Sequence, residues 1–383
     1  MHITTKAMKL FSLPLITLLL VNVLLHAQAP TDWVLGTQYN KGSLVSYEGI
    51  FYNAIQVVPG SVGGTPDTLT DYWVDIFSSR PDDDPGDPPN IDDPGSDFNS
   101  SNLTPPEDNS ARIINISTRG YVGTGNDILI AGFKLEGDES ATKKCMIGVT
   151  AASLQDDPSQ EFYTLKDPLI ILYKDGVEDY LAINFSWTTL TDEEKVIIGE
   201  SAPSSDKDPV IIADLGPGTY TAIVMGNQGL TGIATVGVND LKMDGGTGNI
   251  ELVNISTRGF VKSEPVNWMF AGFIIEGPEG SSLDVMVGNT AASLGDNPDI
   301  DFYSLKNPLM ILYKDGVAEE IDRNDNWGDR PQSEKDTMSS TNSTPQDINE
   351  SAIIRSLSPG TYNTVMLGLG GVGNAAIGVN VIP

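Results

Sequence analysis

Five aromatic residues near the N-terminus, Trp33, Tyr39, Tyr52, Tyr72 and Trp73, have types and spacing suited to stacking on sugars. A sugar ring offers apolar C–H patches that lie on a flat aromatic face, much as nucleobases do. Trp33, Tyr47 and Trp73 read first as the core of so small a unit, and Tyr39, Tyr52 and Tyr72 as its exposed faces. A second set is rich in oxygen. Asp325 and Asn326 fall in one loop, Asp322 and Asp329 lie close by, and Glu350 returns at the start of a later strand. Calcium takes about six to eight oxygens from carboxylates, amides and backbone, so this set could hold it. A turn in which Asn or Asp accepts backbone hydrogen bonds accounts for the same residues without a metal. No other cofactor is implied.

Other chemistries are excluded by what the sequence lacks. Both histidines, His2 and His26, lie in the first 29 residues. A chain processed beyond them has no Ser-His-Asp or Cys-His machinery and no histidine metal ligand. Cys145 is the single cysteine, so no disulfide forms within the chain. It matches Val285 in a later, related stretch and reads as a small apolar strand residue. Catalysis would have to rest on carboxylates alone, as in glycosidases, and 52 acids single out no pair. No catalytic residue is assigned. The net charge of −30 argues against nucleic acid or an anionic membrane surface as partner, because both attract clustered cations.

Residues 1–29 read as a secretory signal. Lys6 and Lys9 precede an apolar run from Leu10 to Leu25 broken by Ser12, Pro14, Thr17 and Asn22, and Ala27-Gln28-Ala29 offers small residues for cleavage near Ala27 or Ala29. The run falls short of the ~20 apolar residues of a membrane span, and no later stretch reaches that length, so no membrane insertion is expected. The predicted location is secreted, extracellular or at the cell surface. Residues 79–110 form a linker with seven prolines and nine acids, stiffened by proline and extended by like charge.

The elements that must position the aromatics lie in residues 30–78. Val45-Ser46-Tyr47 and Ile50-Phe51-Tyr52 read as two short strands around a Glu48-Gly49 turn. The order Trp33, Tyr39, Gly42, Val45, Tyr47, Gly49, Tyr52, Ala54, Pro66 and Trp73 resembles the chitin- and cellulose-binding modules of carbohydrate-binding module family 5/12. The resemblance implies a small three-stranded β module and a polysaccharide ligand. Where that family carries exposed aromatics after its second strand, this sequence reads Ile55-Gln56-Val57-Val58.

The rest of the chain is one unit written twice. Asn115-Ile116-Ser117-Thr118-Arg119-Gly120 returns as Asn254-Ile255-Ser256-Thr257-Arg258-Gly259. Thr150-Ala151-Ala152-Ser153-Leu154 returns at 290–294, and Pro217-Gly218-Thr219-Tyr220 at 359–362. Short β-type runs separated by Lys174-Asp175-Gly176 and Gly216-Pro217-Gly218 predict two tandem antiparallel β-sandwiches of jelly-roll character, at 111–242 and 249–383. Together with Asn324-Asp325-Asn326-Trp327 and Glu350-Ser351-Ala352-Ile353, these blocks resemble a repeat of large secreted bacterial proteins that implies no reaction. Arg119 and Arg258 suit structural pairing with a carboxylate, and Trp187 and Trp327 suit loop anchors.

The expectation is an all-β, secreted, non-catalytic protein that binds a chitin-like or other β-linked polysaccharide through its aromatic module. The rivals are a structural or adhesive surface protein and a glycoside hydrolase.

Overall fold

Alternating side chains and Gly/Pro turns build strands almost throughout. The computed structural model describes residues 31–39, 44–47, 50–54, 56–75, 111–160, 162–177, 179–241, 249–263, 267–296, 302–341 and 343–382. The expected signal at 1–29, the linker at 79–110 and the Glu48-Gly49 turn lie outside them.

The N-terminal module is one sheet of four short strands: β1 (Thr31–Asp32), β2 (Leu44–Tyr47), β3 (Ile50–Ala54) and β4 (Trp73–Asp75), in the order β1-β2-β3-β4. Strands β2 and β3 form the expected antiparallel pair, with Val45 directly opposite Tyr52. Opposite residues point to the same face, and here that face carries the buried Val45, Tyr52 and Ala54.

Copy one runs through β5 (Arg112–Val122), β6 (Leu129–Gly137), β7 (Lys143–Thr150), β8 (Pro168–Lys174), β9 (Ala182–Asn184), helix α1 (Asp192–Ile198), β10 (Val210–Leu215), β11 (Gly218–Gly226) and β12 (Gly232–Asp240). Copy two repeats the series as β13 (Ile250–Val261), β14 (Met269–Glu276), β15 (Leu283–Thr290), β16 (Pro308–Lys314), β17 (Glu320–Asn324), α2 (Gln332–Ser340), β18 (Ala352–Leu357), β19 (Gly360–Gly368) and β20 (Gly373–Val381). In copy one the layers run β5-β12-β7-β10 and β6-β11-β8-β9, and copy two repeats both orders. That is the double-sheet order of a jelly roll. The fold is all-β.

The two jelly rolls are sewn together along one side. Strand β5 pairs with β14, from Arg119 opposite Phe270 to Arg112 opposite Glu276. Strand β13 pairs with β6 in the matching register, from Arg258 opposite Ile130 to Ile250 opposite Gly137. Each pairing is interrupted once, at Ile114 in β5 and at Val253 in β13, which are equivalent positions. Each layer of one copy thus continues into a layer of the other. The result is two eight-stranded antiparallel sheets that touch at the Tyr121–Phe260 bridge.

This seam explains the repeated motif. Ile116 and Ile255 point into a core that runs without a break through both copies. Across the pseudo-twofold axis, Thr118 Oγ1 donates to Thr257 Oγ1 at 2.8 Å. The amide of Asn115 donates to Asn239, and that of Asn254 to Asn380 at 2.6 Å, each locking its strand to the last strand of its own copy. Gly120 and Gly259 leave room for Leu129, whose methyl would stand 3.0 and 2.9 Å from a Cβ at those positions. Farther from the axis, Phe133 stacks on Tyr220 and Phe273 on Tyr362, both at 5.2 Å. Each tyrosine hydroxyl donates to the carbonyl four residues earlier, Gly216 or Ser358, at 2.7 Å.

Candidate functional site

The aromatic set divides into a core and a rim. Tyr39, Tyr52 and Trp73 are buried with Val45, Ala54 and Val58. Tyr39 and Trp73 meet edge to face at 5.1 Å, and the Tyr39 hydroxyl accepts the Val34 N–H at 2.8 Å. Tyr39 and Tyr52, expected as exposed faces, are instead the centre of the module. The reason for Tyr52 is its pairing with Val45, which turns both to the inner face. Trp33 and Tyr47, expected in the core, are only half-buried and pack edge to face at 5.5 Å. Tyr72 is half-buried as well. Beside Trp33, Val34 and Leu35 are 56% and 64% exposed. Trp33 and Tyr72 are therefore the members of the candidate set that are not fully buried. Gln56 and Val57 are exposed after β3, whereas Val58 is buried.

The oxygen-rich loop is built for the fold. Glu350 is buried, and its carboxylate accepts the N–H groups of Ala291, Ser293, Gln346 and Asp347 and the Ser293 hydroxyl, at 2.6 to 3.2 Å. Both of its oxygens are engaged by protein donors. Asp325 and Asn326 are half-buried. The Asn326 carbonyl accepts the Asn324 amide at 2.8 Å and the Asp329 N–H at 3.0 Å. Among the described residues, no three Asp, Glu, His or Cys side chains converge as a metal-holding group.

In copy one the fully buried Asp208 does what Glu350 does in copy two. It accepts the N–H groups of Ala151, Ala152 and Ser153 at 3.0, 2.7 and 3.0 Å. Burial pushes its carboxyl above the ordinary value, and these hydrogen bonds oppose the push. Asp208 and Glu350 thus hold equivalent turns with carboxylates of different length. The Ala-Ala-Ser turns present in both copies are the sequence signal for this role, because each directs clustered N–H groups at one carboxylate, where charge strengthens the bonds.

The neighbouring Asn and Trp are struts. Asn184 Oδ1 accepts the N–H groups of Ser186 and Val210 at 2.9 and 3.1 Å, and Asn324 Oδ1 accepts that of Ala352 at 2.9 Å, tying the two layers of each copy at the far corner. Trp187 and Trp327 donate their indole N–H to the carbonyls of Ser205 and Asp347, at 3.1 and 3.0 Å.

The remaining candidates are also internal. The Arg119 guanidinium lies over the Phe270 ring at 4.0 Å and the Phe162 ring at 5.4 Å, and burial lowers its pKa to about 10. Arg258 lies 5.5 Å from the Phe302 ring; burial lowers its pKa too, against the pull of Asp127. Aromatic rings thus pack on both arginines, and Asp127 is the carboxylate whose charge acts on Arg258. Cys145 is buried, and burial, reinforced by Asp240, pushes its thiol up to about 12, far from a reactive thiolate. Among the described residues no helix is long and apolar enough to cross a membrane.

Compared with known proteins, the sequence matches no family model and no curated protein.

Proposed function

We propose that this is an extracellular, non-catalytic carbohydrate-binding protein that holds a chitin-like or other β-linked polysaccharide through its N-terminal module. The observation that carries the reading is the division of the aromatic set. Tyr39, Tyr52 and Trp73 are buried in the module core, while Trp33 and Tyr72 pack against it and are only partly buried. A half-buried ring is held rigid on one side and offers the other, which suits stacking on a sugar. In the doubled jelly roll, by contrast, the equivalent pairs Asn184/Asn324, Trp187/Trp327 and Asp208/Glu350 bond the fold itself, which supports a scaffold role.

The test is retention of the full chain on insoluble chitin, cellulose and related glycans, with Trp33→Ala and Tyr72→Ala beside it. Retention of the parent chain, reduced at least tenfold in each variant with an unchanged far-UV spectrum, is the expected result. Absence of retention on every glycan overturns the reading. It would favour the second one, a structural surface protein, which the burial of three of the five aromatics already makes physically consistent.

A further inference from the structure

The side of each jelly roll that carries its first two strands is the part of the molecule whose recognition chemistry is most fully specified. A copy standing alone would present two open strand edges there, β5 and β6 in copy one or β13 and β14 in copy two. Open edges of this length, next to apolar side chains such as Ile113, Ile116, Phe133 and Leu135, invite pairing with another chain. The edges demand a partner with two antiparallel strands, one per layer, at the same separation. It must accept an interruption at the position of Ile114 or Val253 and bring a hydroxyl to the axis opposite Thr118.

The repeat itself meets every one of these demands after a half turn. Ser117 lies opposite Gly272 and Ser256 opposite Gly132; Thr118 lies opposite Ala271 and Thr257 opposite Ala131. This reciprocity is that of an isologous interface, in which the same patch serves both partners. Along the seam the Asn-Ile-Ser-Thr-Arg-Gly and Ala-Gly-Phe blocks and the register are shared by the two copies. Two units that merely happened to be adjacent would have no reason to keep a self-complementary edge.

We propose that this edge is a self-recognition surface whose partner is a second repeat of the same kind, so that the two halves of the chain bind each other without needing a covalent connection. The chain is then a symmetric dimer joined by one connector.

The test uses the full chain with a specific protease site placed within residues 243–248. After cleavage the two fragments should co-elute at the size of the uncut protein and part only in denaturant. Their melting temperature should fall on dilution, whereas that of the uncut chain stays constant, because folding has become bimolecular. Mixing the cut protein with a tagged, cut version and passing it once through unfolding and refolding should place tagged and untagged halves in the same complexes. Elution of the halves as two separate folded monomers overturns the proposal, and so does loss of either half from solution after cleavage.

Discussion

The seam between the copies and their far corners are built on different terms. At the seam, Thr118 faces Thr257, Gly120 and Gly259 both yield to Leu129, and the two pairings share a register. At the corners the same place in the fold is filled by different chemistry. In copy one Leu190 packs with Met146, Ile198 and Val210, and α1 opens on a capping box between Thr191 and Glu194. In copy two the matching residue is Arg330. Its guanidinium bonds Asp322 at 2.7 Å and Glu334 at 2.8 Å, and Arg355 joins the same two carboxylates. Copy one has Ala182 and Ala213 where copy two has Asp322 and Arg355. A seam residue must suit two partners at once, its own copy and the other, so a change is penalised twice. A corner residue answers only to its neighbours, and a complete ion network or a complete apolar patch satisfies them equally. What neither tolerates is half a network, since a buried charge left alone costs several kcal/mol.

That contrast can be broken at the buried carboxylates first. Asp208 and Glu350 differ in length but share a task, so D208A and E350A should each destabilise the protein by about 3 kcal/mol or more, through loss of charge-assisted bonds and stranding of buried N–H donors. Denaturant unfolding would check it, and a neutral result for either would mean that its turn does not depend on the anion. Seam glycines come next. G120A and G259A should cost similar amounts, about 1–3 kcal/mol, because each added methyl presses on the same buried Leu129. A large effect at one and none at the other would argue that the seam is not symmetric.

The smallest effect concerns acid. Burial alone would raise the Glu334 carboxyl, but hydrogen bonds from Arg330 and Arg355 outweigh it and hold the group below its ordinary 4.5. A carboxyl with a depressed folded-state pKa contributes stability that is present above the unfolded value and lost as pH falls through the folded one. E334Q should therefore flatten the fall in stability with pH below about 4.5, as read by denaturant unfolding at stepped pH.

Much of the scaffold is legible in the sequence. Strand-length apolar runs such as Leu169 to Tyr173, cut by Lys174-Asp175-Gly176 and Gly216-Pro217-Gly218, specify short antiparallel strands, and the duplication specifies that there are two such units. The seam is not legible, because which edges meet is a matter of non-local pairing, and no local pattern in Ile113 to Gly120 records that Ile116 will lie opposite Phe273. Nor is the burial of Tyr39, whose hydroxyl finds Val34 within its own turn and so can enter the core. The shared role of Asp208 and Glu350 was hidden by a one-methylene difference and by small insertions that move the offset between copies from 139 to 142 residues.

The central claim is that ligand contact lies in the small module and that the doubled jelly roll carries it. The doublet has its own pair of exposed, equivalent aromatics, Tyr163 at 55% and Tyr303 at 49% exposure, and these make the direct control. Retention on insoluble chitin should be measured for the full chain, for W33A combined with Y72A, and for Y163A combined with Y303A. The account predicts at least a tenfold loss in the first double variant and none in the second. Loss in the second with retention in the first would contradict it.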